Sequence, residues 1–198
     1  QYPDIVLNVL FENRVDDLLR DEVDIAIRVM SEPPQQLVAV ELSSVGYTAC
    51  ASGEYVSRRG MPVELDDLRR APMITSNVIG RDLRLSAYQG DTREEVVLHP
   101  TLASENFQFL REAILSGLGV GLVPDYVVKR DIQEGRLLPA LNDWRLSVFG
   151  TRMYLLRMPG RYQTLAVRTL IDYLVMRARR WTKGDESGQE VDKAAKND

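Results

Sequence analysis

At 198 residues, 44% of them hydrophobic, the chain can bury a sizeable core as one domain or as two small lobes, and its longest apolar runs are far too short to cross a bilayer. A formal net charge of −4 excludes overall attraction for nucleic acid or an anionic membrane, and a single cysteine, Cys50, excludes an internal disulfide or a cysteine-based zinc cluster. The opening residues QYPDIVLNVL lack the basic and small-residue flanks of a signal peptide, so the chain reads as soluble.

Ile5 to Phe11 is an apolar run of strand length, followed by the amphipathic stretch Val15 to Arg20 and by Val23 to Val29, rich in β-branched residues. That spacing predicts a parallel βαβ unit with a right-handed crossover, whose second strand places Arg28, Val29 and Met30 near the carboxyl edge of a sheet. SEPPQQ, 31–36, is a loop, because its two prolines block helix and central strand alike. Leu37 to Leu42 and Val45 to Ala51 are strands separated only by Ser43 and Ser44, where the chain can pass from one lobe to another. Gly53 to Arg59 predicts a short helix stopped by Gly60, and Val63 to Arg70 a second one after Pro62. PMIT, 72–75, is a strand that ends in the polar cluster Thr75, Ser76 and Asn77; these residues either terminate the strand or face a ligand. Leu83 to Tyr88 and Glu94 to Leu98 flank a turn at Gly90 and Asp91, the pattern of an antiparallel hairpin.

The most informative stretch is SENFQFLREAILSGLGVGLVPD, 104–125. Ser104 is read as an N-cap with Glu105 in the first turn, and Phe107, Leu110, Ile114 and Leu118 recur along one apolar helix face. Gly117 takes the left-handed stop, Val120 to Val123 forms a short apolar strand, Pro124 cannot donate to a further ladder bond, and Asp125 can cap the next helix. Such a unit aims helix N-termini and strand carboxyl ends at a ligand crevice, so the backbone amides near Ser104 are candidate donors. Tyr126 to Glu134 is a helix stopped by Gly135, Leu137 to Leu141 a short strand, Arg152 to Arg157 another, and Thr164 to Trp181 a long final helix. From Thr182 onward three lysines face five acidic residues with almost nothing apolar, which predicts a disordered tail over 182–198.

Rival chemistries have weaker patterns. Gly117, Gly119 and Gly121 imitate a dinucleotide loop, but the third glycine comes one residue too soon and the unit follows a helix; helix stop and close packing is the competing reading. A thiol nucleophile would need Cys50 and His99 brought together, against the simpler reading of a buried thiol and a strand-end histidine beside Pro100. Asp21, Glu22 and Asp24 do not repeat with metal-ligand spacing and read as a solvated turn. No GxSxG elbow occurs. The basic pairs Arg58-Arg59, Arg69-Arg70 and Arg179-Arg180 read as solvated helix faces rather than as a DNA surface.

Four segments in order, VDDLLRDEVDIAIRV (15–29), LVAVELSSVGYTACASGEYVSRRGMPVELDDL (37–68), LREAILSGLGVGLVPDYVV (110–128) and YLLRMPGRYQTLAVRTLIDYLV (154–175), resemble the effector-binding domain of LysR-type transcriptional regulators. The resemblance runs nearly to Trp181. It implies an α/β, two-lobed periplasmic-binding-protein-like (type 2) fold with two crossovers and a cleft, lobe one being 1–43 and 149–181 and lobe two 44–148. It also implies a small effector bound between the lobes; places at strand ends and a helix N-terminus make Met30, Thr75, Ser76, Asn77, Ser104, Asn106 and Pro124 the expected contacts of a small polar or anionic metabolite, with Met30 and Pro124 equally readable as packing residues. Its further implications are a cytoplasmic homodimer or homotetramer without enzymatic activity, metal or cofactor, which meets no membrane and binds DNA only through an N-terminal winged helix-turn-helix absent from this sequence. The first strand and helix of lobe one are absent as well, so the native protein is expected to continue upstream of Gln1 and this stretch alone to be poorly stable. Where the family often has Asn-Asp at the start of its central helix, this chain has Ser104-Glu105-Asn106. The alternative is a solute-binding protein of a transport system with the same two-lobe plan.

Overall fold

A computed structural model describes residues 2–11, 23–76, 82–160 and 162–194, with side chains as far as Arg179. By backbone contact these fall into two compact units, one holding 2–10, 23–44 and the chain from Gly150 onward, the other Phe11 and Val45–Phe149.

The first unit carries a three-stranded sheet in the order β1-β11-β2, formed by β1 (Ala26–Met30), β2 (Val38–Ser44) and β11 (Arg152–Arg157), with both pairings antiparallel. Ala26, Leu37, Tyr154 and Leu156 make its buried centre, and Val23, Met30, Ala39 and Met158 pack around them. The parallel βαβ unit expected over 5–29 is therefore corrected. Ile5 to Phe11 forms no strand and leaves Val6 93% and Phe11 79% exposed, while β1 pairs with a strand from the far end of the chain. An extended run becomes a strand only where another backbone takes its N–H and C=O groups, and β11 already fills that role for β1. The helix expected at 15–20 lies outside the described residues.

Gly150, at φ +128°, closes the approach to this sheet. A Cβ there would stand 2.2 Å from the Met30 carbonyl carbon and 2.3 Å from the Ser31 nitrogen, so only glycine fits. The last helix, α5 (Leu165–Ala194), continues past Thr182 through the stretch whose composition predicts a disordered tail. Its core-facing half has already met the cost of nucleation, and adding residues to an existing helix needs only one hydrogen bond each.

The second unit is built on an eight-stranded mixed sheet. Its strands are β3 (Tyr47–Ser52), β4 (Met73–Ser76), β5 (Leu83–Gln89), β6 (Thr92–Leu98), β7 (Pro100–Ser104), β8 (Val120–Pro124), β9 (Leu137–Ala140) and β10 (Arg145–Ser147). They run in the order β6-β5-β10-β3-β8-β4-β7, with β9 paired to β3. The helices are α1 (Gly53–Arg59), α2 (Asp67–Arg70), α3 (Phe107–Leu115) and α4 (Asp125–Gln133). All four residues of β4 and all five of β8 are buried, as strands covered on both faces must be, and their sequences MITS and VGLVP lack polar alternation accordingly. The β5–β6 hairpin turns at Gly90, φ +55°, where it was expected.

Leu110, Ala113 and Ile114 of α3 pack with Cys50, Ile74, Val123, Val128 and Leu137 into one cluster. Leu118, placed on the same apolar face by spacing, is 60% exposed because the helix has already ended. Gly117 makes that stop at φ +70°. The other two glycines of the triplet are there for close packing: a Cβ on Gly119 would lie 2.1 Å from the Pro72 carbonyl oxygen, and one on Gly121 would lie 2.2 Å from Ile114 Cδ1. Two strands escaped the sequence reading, β7 and β10. Pro100 begins β7, a position where its missing N–H breaks no ladder, and β10 is only three residues long.

Candidate functional site

In the second unit β4 pairs in parallel with β8 on one side and β7 on the other, so three strands finish at the same edge. Ser76 lies opposite Ser104, and Thr75 lies between Ala103 and Leu122. From that edge the chain passes directly from β8 into α4 and, after Glu105 and Asn106, from β7 into α3. Helix N-termini and strand carboxyl ends therefore meet in one place, where backbone N–H groups have no intrahelical acceptor.

The cap of α3 corrects one expectation. Asn106 is the N-cap, its Oδ1 accepting the Phe109 N–H at 3.1 Å, and the Ser104 hydroxyl oxygen instead accepts the Asn106 N–H at 3.1 Å. The cause is β7: pairing with β4 draws Ser104 into a strand, so the helix starts later and Ser104 closes the connecting turn. Asp125 likewise is the first residue of α4 rather than its cap, with Pro124 in the cap position and the Tyr126 N–H donating to Asp125 Oδ1 at 2.7 Å.

The expected site residues divide accordingly. Ser76, Ser104 and Asn106 come together at the edge. Ser76 is 3% exposed, and its hydroxyl has no hydrogen-bond partner among the described residues. Thr75 is fully buried and donates its hydroxyl to the Leu122 carbonyl at 2.8 Å, which ties β4 to β8. Pro124 is buried at the end of β8, opposite Tyr47. Met30 ends β1 in the other unit, and Asn77 lies outside the described residues.

Aromatic residues that sequence reasoning passed over flank this edge. Phe107 and Tyr126, at the starts of α3 and α4, meet edge-on with ring centroids 6.3 Å apart, and Tyr47 meets Phe149 at 6.4 Å. Burial, then Tyr126 and Asp125, push the Tyr47 phenol well above its ordinary range, and burial and Asp125 raise Tyr126. Both phenols are thus neutral at physiological pH, able to donate and to accept. Their signal in the sequence was position alone: Tyr126 follows Pro124-Asp125, and Phe107 follows the capping asparagine.

Hydroxyls, a helix N-terminus and neighbouring aromatic rings suit recognition of a small polar solute. Nucleophilic chemistry has no such support, since Cys50 is buried in the core whereas His99 is exposed and sits 3.0 Å from Asp82. Among the described residues no three of His, Cys, Asp and Glu group to hold a metal ion, and no helix is long and apolar enough to cross a membrane. A separate shallow pocket of about 270 Å³ opens beside Pro72 and Leu118, at the opposite ends of β4 and β8; there Arg58 already donates to the Gly117 carbonyl at 3.0 Å and pairs with Glu54.

Comparison with known proteins bears on the family and the fold. Residues 1–179 match the family model described as the LysR substrate binding domain. An HTH-type transcriptional regulator of Xanthomonas campestris pv. campestris (strain 8004) is 30% identical over 187 residues, which cover 89% of this chain and 52% of that protein. The full-length structure of AphB, a Vibrio cholerae virulence activator of the LTTR family, superposes with a TM-score of 0.71 at 26% identity, covering 89% of this chain and 59% of that one. The regulatory domain of AphB from Vibrio vulnificus gives a TM-score of 0.70 at 28% identity, covering 88% of this chain and 86% of that one. The chain spans about half the length of the curated relatives it matches. These relatives are named as transcriptional regulators rather than as enzymes or transport proteins. The chain belongs to the LysR substrate binding domain family, and its two units carry the α/β fold of LysR-type regulatory domains.

Proposed function

We propose that this chain is the effector-sensing part of a cytoplasmic transcriptional regulator, and that its effector is a small polar or anionic metabolite held at the edge formed by β4, β7 and the first turn of α3. The observation that carries this reading is the Ser76 hydroxyl, buried and without a hydrogen-bond partner among the described residues, beside Ser104 and the N-terminus of a helix. A buried hydroxyl without a partner costs free energy, and a ligand oxygen arriving there would recover it. The amides and the dipole of α3 favour an oxygen-rich or anionic group at the same point. In the whole protein, occupancy would be relayed to DNA through the helix-turn-helix that the relatives' names describe, in a homodimer or homotetramer.

A thermal-shift screen of small carboxylates and polar metabolites tests the site. A ligand at one hundred times its dissociation constant stabilises by about 2.7 kcal/mol, a readily measured shift. That shift should vanish in Ser76→Ala combined with Ser104→Ala; a double variant that answers every hit as the parent does would place the effector elsewhere.

A further inference from the structure

The outer face of the β6-β5-β10 region carries arginines that no helix-based reading of the sequence would group. Register sets them in rows: Arg145 opposite Tyr88 opposite Arg93, then Ser147 opposite Ser86 opposite Glu95, then Arg84 opposite Val97. Because side chains alternate along a strand, all of these share one face, and the inward residues between them, Leu83, Leu85, Ala87 and Leu146, are buried. Arg145 stacks over the Tyr88 ring at 4.4 Å and Arg93 approaches the same ring at 5.8 Å.

The charge balance there differs from that of the helices. On α1 and α2, Arg58 pairs with Glu54, and Arg69 and Arg70 pair with Asp66. On the sheet face Arg93 pairs with Glu95 at 2.6 Å, but Arg84 and Arg145 have no carboxylate partner among the described residues. A guanidinium held over an aromatic ring has already given up part of its side-chain freedom and loses less when an acceptor arrives, which is how Arg and Tyr serve at protein interfaces.

We propose that this face, centred on Arg145, Tyr88 and Arg84, docks an acidic segment of a partner protein by bidentate pairing of its carboxylates. A protein is favoured over a nucleic acid for two reasons on the same surface. Only two guanidinium groups there, those of Arg84 and Arg145, lack a carboxylate partner among the described residues, too few for the run of phosphates a duplex presents, and Tyr88 and Val97 beside them offer apolar contact that the side chains of a peptide segment can use. A carboxylate-bearing segment can instead place its acids over the Arg84 and Arg145 guanidinium groups and leave the Arg93–Glu95 pair intact.

The test uses the 198-residue chain, a fluorescently labelled short oligoglutamate peptide and a labelled duplex DNA of similar charge, with binding read by anisotropy at low and moderate salt. The parent should bind the peptide, and Arg145→Glu with Arg84→Glu should weaken it by about tenfold or more while leaving the melting temperature unchanged. Tyr88→Leu, which removes the stack and no charge, should weaken it to an intermediate degree. Arg69→Glu with Arg70→Glu, the same charge change on α2, should leave binding near the parent value. The proposal is overturned if the parent does not bind the peptide, if the α2 variant weakens binding as much as the sheet variant, or if the duplex binds more tightly than the peptide through the same residues.

Discussion

The Thr75 hydroxyl donates to the Leu122 carbonyl at 2.8 Å, and Thr75 has no exposed surface. Its immediate neighbour Ser76, equally hidden, donates to nothing described. Two adjacent hydroxyls at one strand end thus differ: the first is tied to the sheet, and the second is the one the proposed function gives to the ligand. Thr75→Val should cost about 1 kcal/mol in urea unfolding, since it removes a buried hydrogen bond and keeps the shape. Its ligand-induced stabilisation should match the parent's. Ser76→Ala should be neutral or slightly stabilising, because it deletes an unsatisfied group, and should lose most of the ligand response. Reversal of the two behaviours would transfer the binding role to Thr75.

The capping assignment is tested separately. With Asn106 Oδ1 on the Phe109 N–H, Asn106→Ala should cost about 1 kcal/mol of stability. Ser104→Ala breaks only a turn contact on an exposed pair, and its cost should be a few tenths of a kcal/mol, roughly the effect of an ordinary surface change. Equal losses in the two variants would return Ser104 to the role of cap.

Cys50 has no exposed surface, and burial, with Asp131 in second place, pushes its thiol up to about 12. Reactive thiolate is therefore scarce on two counts, access and ionisation. A thiol reagent at pH 8 should leave the native chain unmodified over hours, and labelling should follow urea unfolding with the same midpoint as the circular dichroism signal. Prompt stoichiometric labelling without denaturant would contradict the packing of β3.

How much of this was legible beforehand depended on how local each cause was. Gly117 as a stop, the Gly90 turn and the apolar β8 run are set by a few adjacent residues, and their positions match the chain. The cap of α3 was not legible in the same way, because Ser104 would serve well as a cap if β4 did not claim it for a strand. The pairing of β1 with β11 joins residues more than a hundred positions apart, and the alternative parallel partner looked equally apolar. Of the proposed site residues, Ser76 was singled out by its place at a strand end and Ser104 as the cap of a helix. The aromatic pair Phe107 and Tyr126 was not, since an aromatic at a helix start is usually read as part of the core. The sheet arginines 84, 93 and 145 are dispersed in the chain and become a group only through register.

A last prediction concerns acid stability and rests on Asp131, whose side chain is 1% exposed on α4. Arg111 of α3 grips it with Nε on Oδ2 at 2.6 Å and Nη2 on Oδ1 at 2.7 Å, and Arg136, just before β9, adds its Nε to Oδ1 at 2.8 Å. The Arg111 hydrogen bond, with help from Arg136 and against the opposing effect of burial, holds the carboxyl below its usual range, and the Arg111 guanidinium is correspondingly raised. A carboxyl with a depressed folded value binds its proton more readily when unfolded. The stability it contributes is therefore complete above the unfolded value of about 4 and is lost as pH falls through the folded one. Asp131→Asn leaves two arginines facing each other without their shared anion, and since both reach solvent the loss at neutral pH should be near the lower end for a broken buried pair, about 3 kcal/mol. The variant should also lose the part of the acid limb that Asp131 supplies, so that parent and variant stabilities, followed by urea unfolding from pH 7 down to pH 3, converge below about pH 4. Parallel curves across that range would show that the α3–α4 contact stands on its apolar packing and that the ion pair contributes nothing to it.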